Sequence, residues 1–253
     1  MSSIIDAFND AFSERLSFIK FGIYAIPVYF CLKFYITGQM NYLYSLGTVA
    51  AILLLALFTQ AIYNVRQNRR EILSFNPIEL AFSLAKSVVV LLPNVLVFGF
   101  VGKIITENIS IPIDLPHVDL IFDIIVWSIV FSIILTSYLC FTKYLNIRDG
   151  FNYKVIFSSF VDVFLGILFF IPQLALANVF IIGPFAYLFW LFHVPFTNWG
   201  FIVCCSIAIV VNISIIANYF AQFSYEAIVS SDEDKDDYQI TKIIEDIDQN
   251  KAN

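Results

Sequence analysis

The sequence predicts an all-α fold, a polytopic transmembrane helical bundle of about six spans. Three observations lead there. Charged residues make up only 13% of the chain against 60% apolar ones, whereas a soluble domain carries about a quarter charged. The charges are missing from stretches of about 20 residues, the length that crosses a hydrocarbon core of about 30 Å. Phe occupies 28 of the 253 positions, far more apolar surface than a chain this short can bury from water.

The chain opens with Ser2, Ser3, Asp6, Asp10 and Glu14, and has no basic stretch ahead of its first apolar run, so a cleavable signal peptide is not expected. Ile4, Ile5, Phe8, Phe12 and Leu16 recur at helical spacing, which reads residues 1–15 as an amphipathic helix lying in the membrane interface. The bundle proper is expected over 16–222, with spans at about 16–36, 43–65, 80–104, 119–141, 155–178 and 200–222. Orientation follows from Lys and Arg. Arg15 and Lys20 precede or open the first span, Arg66, Arg69 and Arg70 follow the second, and Lys143, Arg148 and Lys154 follow the fourth. The alternate loops, about 37–42, 105–118 and 179–199, contain neither residue, so the positive-inside rule places both termini in the cytoplasm.

Residues 179–199 leave two readings open. Gly183 and Pro184 break the apolar run, and the aromatic-rich segment up to His193 suits an interfacial or re-entrant helix, where such rings prefer to sit. A seventh span is the alternative, and it would move the C-terminus to the other side. Residues 223–253 hold nine acids and three lysines, so the whole net charge of −6 belongs to this tail, read as cytoplasmic and solvated. Asp232, Asp234 and Asp236 imitate the first ligands of an EF-hand, but Asp237 stands where glycine is needed and Ile243 where a bidentate Glu is needed. Ile240, Ile243, Ile244 and Ile247 line one face of a short helix, which makes 232–248 a candidate docking segment for a protein partner.

The odd spans carry a faint repeat. Phe75-Asn76 leads to Leu92-Pro93-Asn94, Phe151-Asn152 leads to Ile171-Pro172-Gln173, and the first span holds Ile26-Pro27-Val28. Each interior proline removes a backbone donor and kinks its helix, so Pro27, Pro93 and Pro172 predict three side-by-side hairpins with proline-kinked odd helices. Asn76-Pro77-Ile78-Glu79 reads as a helix start, with Asn76 as cap and Glu79 placed for a capping interaction. With its six spans, alternate kinks and amphipathic inner segments, the chain resembles a family of uncharacterised bacterial membrane proteins. The likeness covers most of 1–228, including Asn218-Tyr219-Phe220-Ala221-Gln222-Phe223-Ser224-Tyr225. It implies fold and a bacterial inner-membrane location, and no catalytic residues.

Ionisable groups within spans are the default functional candidates. Lys20, Lys33 and Lys103 lie near span ends, where they can snorkel, and Asp123 lies close to an edge. Lys86 and Asp162 occupy equivalent positions in the two best-matching repeats, and are expected to form an intramembrane charge pair between the third and fifth spans. Asn94, Gln173, Asn178, Asn212 and Asn218 supply amides for interhelical hydrogen bonds or for a polar substrate cavity. Cys31, Cys140, Cys204 and Cys205 sit in apolar segments without Cys-x-x-Cys spacing. His117 and His193, even with Asp114 and Asp119 near the first, follow no metal-ligand spacing. No catalytic triad, phosphate-binding glycine loop or zincin motif occurs. No metal, cofactor or nucleic-acid partner is expected. The reading is a non-enzymatic membrane protein that organises partners or lipids. A small-solute or ion-coupled permease component is the alternative, and a continuous polar cavity near the midplane would distinguish it.

Overall fold

A computed structural model describes residues 4–13, 16–67, 73, 76–109, 118–195 and 197–224. Helix α1 is Ile4–Ser13. The six long apolar helices are α2 (Ser17–Ile36), α3 (Met40–Arg66), α4 (Pro77–Asn108), α5 (Val118–Thr142), α6 (Tyr153–Ile181) and α8 (Trp199–Ser224), with a short α7 (Gly183–Leu191) before the last. Helix α2 begins one residue after its sequence-read span, α5 and α8 run one or two residues beyond theirs, and α3, α4 and α6 gain up to about a turn at an end. Such turns emerge where the chain meets water and the backbone can still be satisfied.

Local chemistry explains the ends. Gly38, at φ +69°, lets α2 stop in a Schellman turn, with Gln39 N–H donating to Phe34 O at 2.9 Å and Gly38 N–H to Tyr35 O at 3.2 Å. His193 takes the same left-handed position after α7 at φ +52°, and Val194 N–H reaches Phe189 O at 2.9 Å. Asn76 caps α4, its Oδ1 accepting from Ile78 N–H at 3.1 Å with Pro77 in the first turn. Glu79 turns outward from that cap and accepts from Gln60 Nε2 of α3 at 2.8 Å.

Helix α7 answers the question left at 179–199. Its nine residues rise only about 14 Å at 1.5 Å each, half of what a crossing needs. None of them is buried, and Tyr187, Trp190 and Phe185 present their rings outward, as interfacial aromatics do. The described chain therefore has six spans.

Neighbouring spans pack in order from α2 to α6, and α8 returns to lie against both α2 and α3. The pairs α2/α3 and α4/α5 are close antiparallel hairpins. The third hairpin is wider because aromatic rings fill it. Phe223 of α8 sits over Gly166 of α6, Phe170 stacks on Tyr219 at 4.4 Å between centroids, and Asn212 Nδ2 donates to Asn178 Oδ1 at 2.7 Å. Steps of 4 and then 8 residues along α6 are matched by steps of 4 and 7 back along α8, as an antiparallel register requires. Helix α6 otherwise leans on α5. Helix α8 runs on through Phe223 and Ser224, two residues past the tail boundary read from sequence.

Burial on α4 is inverted relative to a soluble bundle. On α4 the inward residues are Ser83, Ser87, Val90, Asn94 and Gly102, while Phe82 and Phe100 are each 65% exposed. Lipid tails are as apolar as Leu, so packing a large apolar side chain inward gains little; small and polar residues let helices approach and bond. The buried part of α2, α4 and α6 falls toward their N-terminal halves, and that of α3, α5 and α8 toward their C-terminal halves. The core is thus concentrated at one end, named here the basic end after Lys20, Arg66, Lys143, Arg148 and Lys154. The far end is more open.

Candidate functional site

The polar interior of the basic end is built from side chains of α3, α4, α5 and α8 that face one another. Thr59 on α3 lies 2.8 Å from Ser87 Oγ on α4 and 2.5 Å from the Tyr138 hydroxyl on α5. Ser87 in turn donates to Ser83 O at 2.7 Å. One proton assignment satisfies the whole chain: Tyr138 donates to Thr59, Thr59 to Ser87, and Ser87 to the carbonyl. The Tyr138 ring is held flat against Phe58, at 5.9 Å and 5°.

A second knot lies one turn away. Asn94 Nδ2 donates to Ser137 Oγ of α5 and to Val90 O, both at 2.8 Å. Ser137 donates onward to Gly150 O at 2.6 Å, in the 3₁₀ turn Asp149–Phe151 between α5 and α6. Gly150 must be glycine here, because a Cβ would stand 2.6 Å from Val90 Cγ1.

Arg66 closes the basic end. Its guanidinium donates to Leu139 O of α5 at 2.7 Å and to the Ser224 hydroxyl at the end of α8, binding three helices through one side chain. Helix α1 lies across α8 with Ala7 and Ala11 buried, and Asp10 accepts from Asn218 Nδ2 at 3.2 Å. Ile5 and Phe8 remain exposed, so the helix is amphipathic, and it docks through Ala7, Ala11 and Phe12, whose ring meets Phe21 at 5.5 Å.

Lys20 departs from its reading as a snorkelling anchor. It is 2% exposed and donates to Leu73 O at 2.6 Å, beside a water-sized hollow of about 10 Å³ shared with Asp10, Ser17 and Ser214. The flexible stem points into the bundle because α1 covers the route to water. Lys103 is exposed and pairs one turn along with Glu107 at 3.6 Å.

The structure does not bring Lys86 and Asp162 together. Lys86 is half-buried on α4, Asp162 is exposed on α6, and no ion pair joins them among the described residues. The reason is packing. Helix α5 lies against both α4 and α6, and Phe98 of α4 meets Tyr153 and Phe157 of α6 at 6.1 and 6.3 Å, away from both charged residues along the chain, so equivalent repeat positions do not face each other.

Pro27, Pro93 and Pro172 all lie inside continuous helices. Pro27 and Pro93 are half-buried, whereas Pro172 is exposed, so only two of the three kinks turn toward protein. Among the predicted amides, Asn94 joins α4 to α5, and Asn178 and Asn212 join each other; Gln173 is half-buried on α6. All four cysteines are free. His117, Asp114 and the tail segment 232–248 lie outside the described residues. Among those described, no three His, Cys, Asp or Glu side chains cluster to hold a metal.

Reading isolated charges missed the Thr59–Ser87–Tyr138 chain and Arg66. A signal for the first existed: Ser83, Ser87, Asn94 and Gly102 fall at helical spacing in an otherwise large and apolar helix.

The cavities fit this picture. A groove of about 350 Å³ between α2 and α8, lined by Ile26, Tyr29, Val203 and Ile207 among others, is apolar and open to the surroundings. A water-sized space near Phe185 and Cys204 is also apolar. With six lipid-length helices, an outward apolar surface and a polar interior, the assignment is decided at the level of class. The chain is a multi-pass integral membrane protein. No known protein family, curated protein or solved structure matches it. The resemblance noted from sequence therefore extends to six membrane spans and no further.

Proposed function

We propose that this is a non-enzymatic membrane protein that organises partner proteins or lipids, and that its polar interior locks helices together instead of passing a solute. One observation carries the reading: the interior hydroxyls and amide nitrogens direct their hydrogens at one another and at backbone carbonyls, as in Thr59–Ser87–Tyr138 and Asn94–Ser137–Gly150, while the Asn94, Asn212 and Gln60 amide oxygens are buried without a partner. A transporter requires a polar cavity at the midplane, and the large groove is apolar. The basic loops support cytoplasmic termini, and placement in a bacterial inner membrane is part of the same proposal. The acidic tail then serves as the arm that reaches a partner.

Two measurements test this. Cysteine placed at Ser87 or Ser137, in a chain stripped of its four native cysteines, is expected to resist a membrane-impermeant maleimide. Rapid labelling at both would open a water path and support the permease reading. Affinity capture from native-membrane discs is expected to lose its partner when the chain is cut after Ser224. The cut belongs there because Phe223 and Ser224 pack against Gly166 and Arg66. Retention of the same partner by the truncated chain would remove the tail from the proposal.

A further inference from the structure

The groove between α2 and α8 sits toward the far end, away from the bonded core. Gly22, Ile26 and Tyr29 form its α2 wall, and Val203, Ser206 and Ile207 its α8 wall. Lys33 continues the α2 wall, four residues beyond Tyr29 and seven beyond Ile26, on the same helical face. The two helices are antiparallel, so Lys33 stands level with the start of α8 near the exposed Trp199. It therefore lies where an apolar slot meets the headgroup layer.

Among the described residues nothing acidic answers that charge. Lys33 forms no ion pair among the described residues. The first turns of α3 and α8, which open at the same level, contain no Asp or Glu. The N-terminal ends of both helix dipoles add partial positive charge there. The slot offers about 350 Å³ and is open to the surroundings, room for an extended acyl chain. Gly22 shapes it: a Cβ there would meet nothing within 4 Å, so the glycine holds space open and avoids no clash.

We infer that this groove is a binding site for one acyl chain of an anionic phospholipid, with Lys33 holding the phosphate. The site is separate from the tail-mediated role proposed above and stands or falls without it. A diradyl lipid places its phosphate in the interface and its chain along the membrane normal, matching the offset between Lys33 and the Gly22–Ser206 slot. The apolar lining fits the chain, and the lone ammonium selects headgroup charge.

The full-length protein in vesicles containing trace photoactivatable phosphatidylglycerol or phosphatidylcholine, diazirine-labelled in the tail, tests this by mass-spectrometric mapping of adducts. Phosphatidylglycerol is expected to label Ile26, Tyr29 and Val203 about fivefold more than phosphatidylcholine, the gain from one basic residue at an anionic ligand. Lys33→Gln should make the two lipids equal. Gly22→Phe, whose ring enters open space, should abolish groove labelling by both while leaving adducts at the ordinary lipid face of Val95 and Leu96 unchanged. Equal labelling of the groove and that face with no headgroup preference would overturn the inference, since the groove would then hold bulk lipid. So would an efficient Ile26→Cys disulfide with a second copy or another chain, which would make the occupant a helix. Unchanged melting of both variants in detergent keeps loss of labelling from being read as loss of fold.

Discussion

Replacing Gly166 by alanine tests how the third hairpin is held. An added Cβ would stand 2.5, 2.8 and 2.9 Å from three ring atoms of Phe223. Ordinary carbon–carbon contact begins at about 3.5 Å, so the ring must retreat by about 1 Å. It cannot retreat freely, because Phe223 lies parallel to Tyr219 at 6.3 Å and Tyr219 is stacked on Phe170. Overpacking of this kind costs about 1–3 kcal/mol. Alanine recovers up to about 1 kcal/mol in helix propensity over glycine, leaving a net loss of about 1 kcal/mol. In a Phe223→Ala background the clash is gone and only the propensity gain remains, so the same substitution should stabilise. The double-mutant cycle therefore predicts a coupling of about 2 kcal/mol, from which propensity cancels. Unfolding in mixed micelles by added dodecyl sulfate, followed by circular dichroism, measures it. A coupling below about 0.5 kcal/mol, or a Gly166→Ala chain more stable than the parent, would refute the register of α6 on α8.

Tyr138→Phe removes one hydroxyl and keeps the ring on Phe58; it should cost about 0.6 kcal/mol, and at most about 1.7, by the same unfolding assay. Thr59 retains Ser87 and Leu55 O as partners, so a larger loss would mean that the hydroxyl chain acts as more than a local tie. Exchanging the charges as Lys86→Asp with Asp162→Lys should show no coupling beyond measurement error, because no ion pair joins the two groups among the described residues. A double variant clearly more stable than the sum of the two singles would restore the pair.

Much of the fold is legible along the chain because bilayer thickness acts on contiguous sequence. A helix must keep charges out of about 20 consecutive residues, so spans such as 200–222 can be read without knowing their neighbours. Helix ends are equally local: Asn76-Pro77 and Gly38 each satisfy their own backbone. Even α7 announced itself through Gly183-Pro184 and its aromatics, although its length was needed to exclude a seventh crossing.

The site was much less legible. In water an amphipathic stripe shows which face of a helix turns inward. In lipid both faces are apolar, so α5 and α8 carry little sign of which neighbour each will meet. The sequence by itself determined that about six helices cross and, to within about a turn, where each lies. Only the tertiary structure decided that α8 lies against α2 and α3, that α1 buries Lys20, and that Arg66 joins α3 to α5 and α8. It also decided that Lys86 and Asp162, matched in the repeat, do not pair. Register between packed helices is set by contacts such as Gly166 under Phe223 and Gly150 against Val90. Those depend on the shape of two distant segments at once, and no window along one of them contains the other.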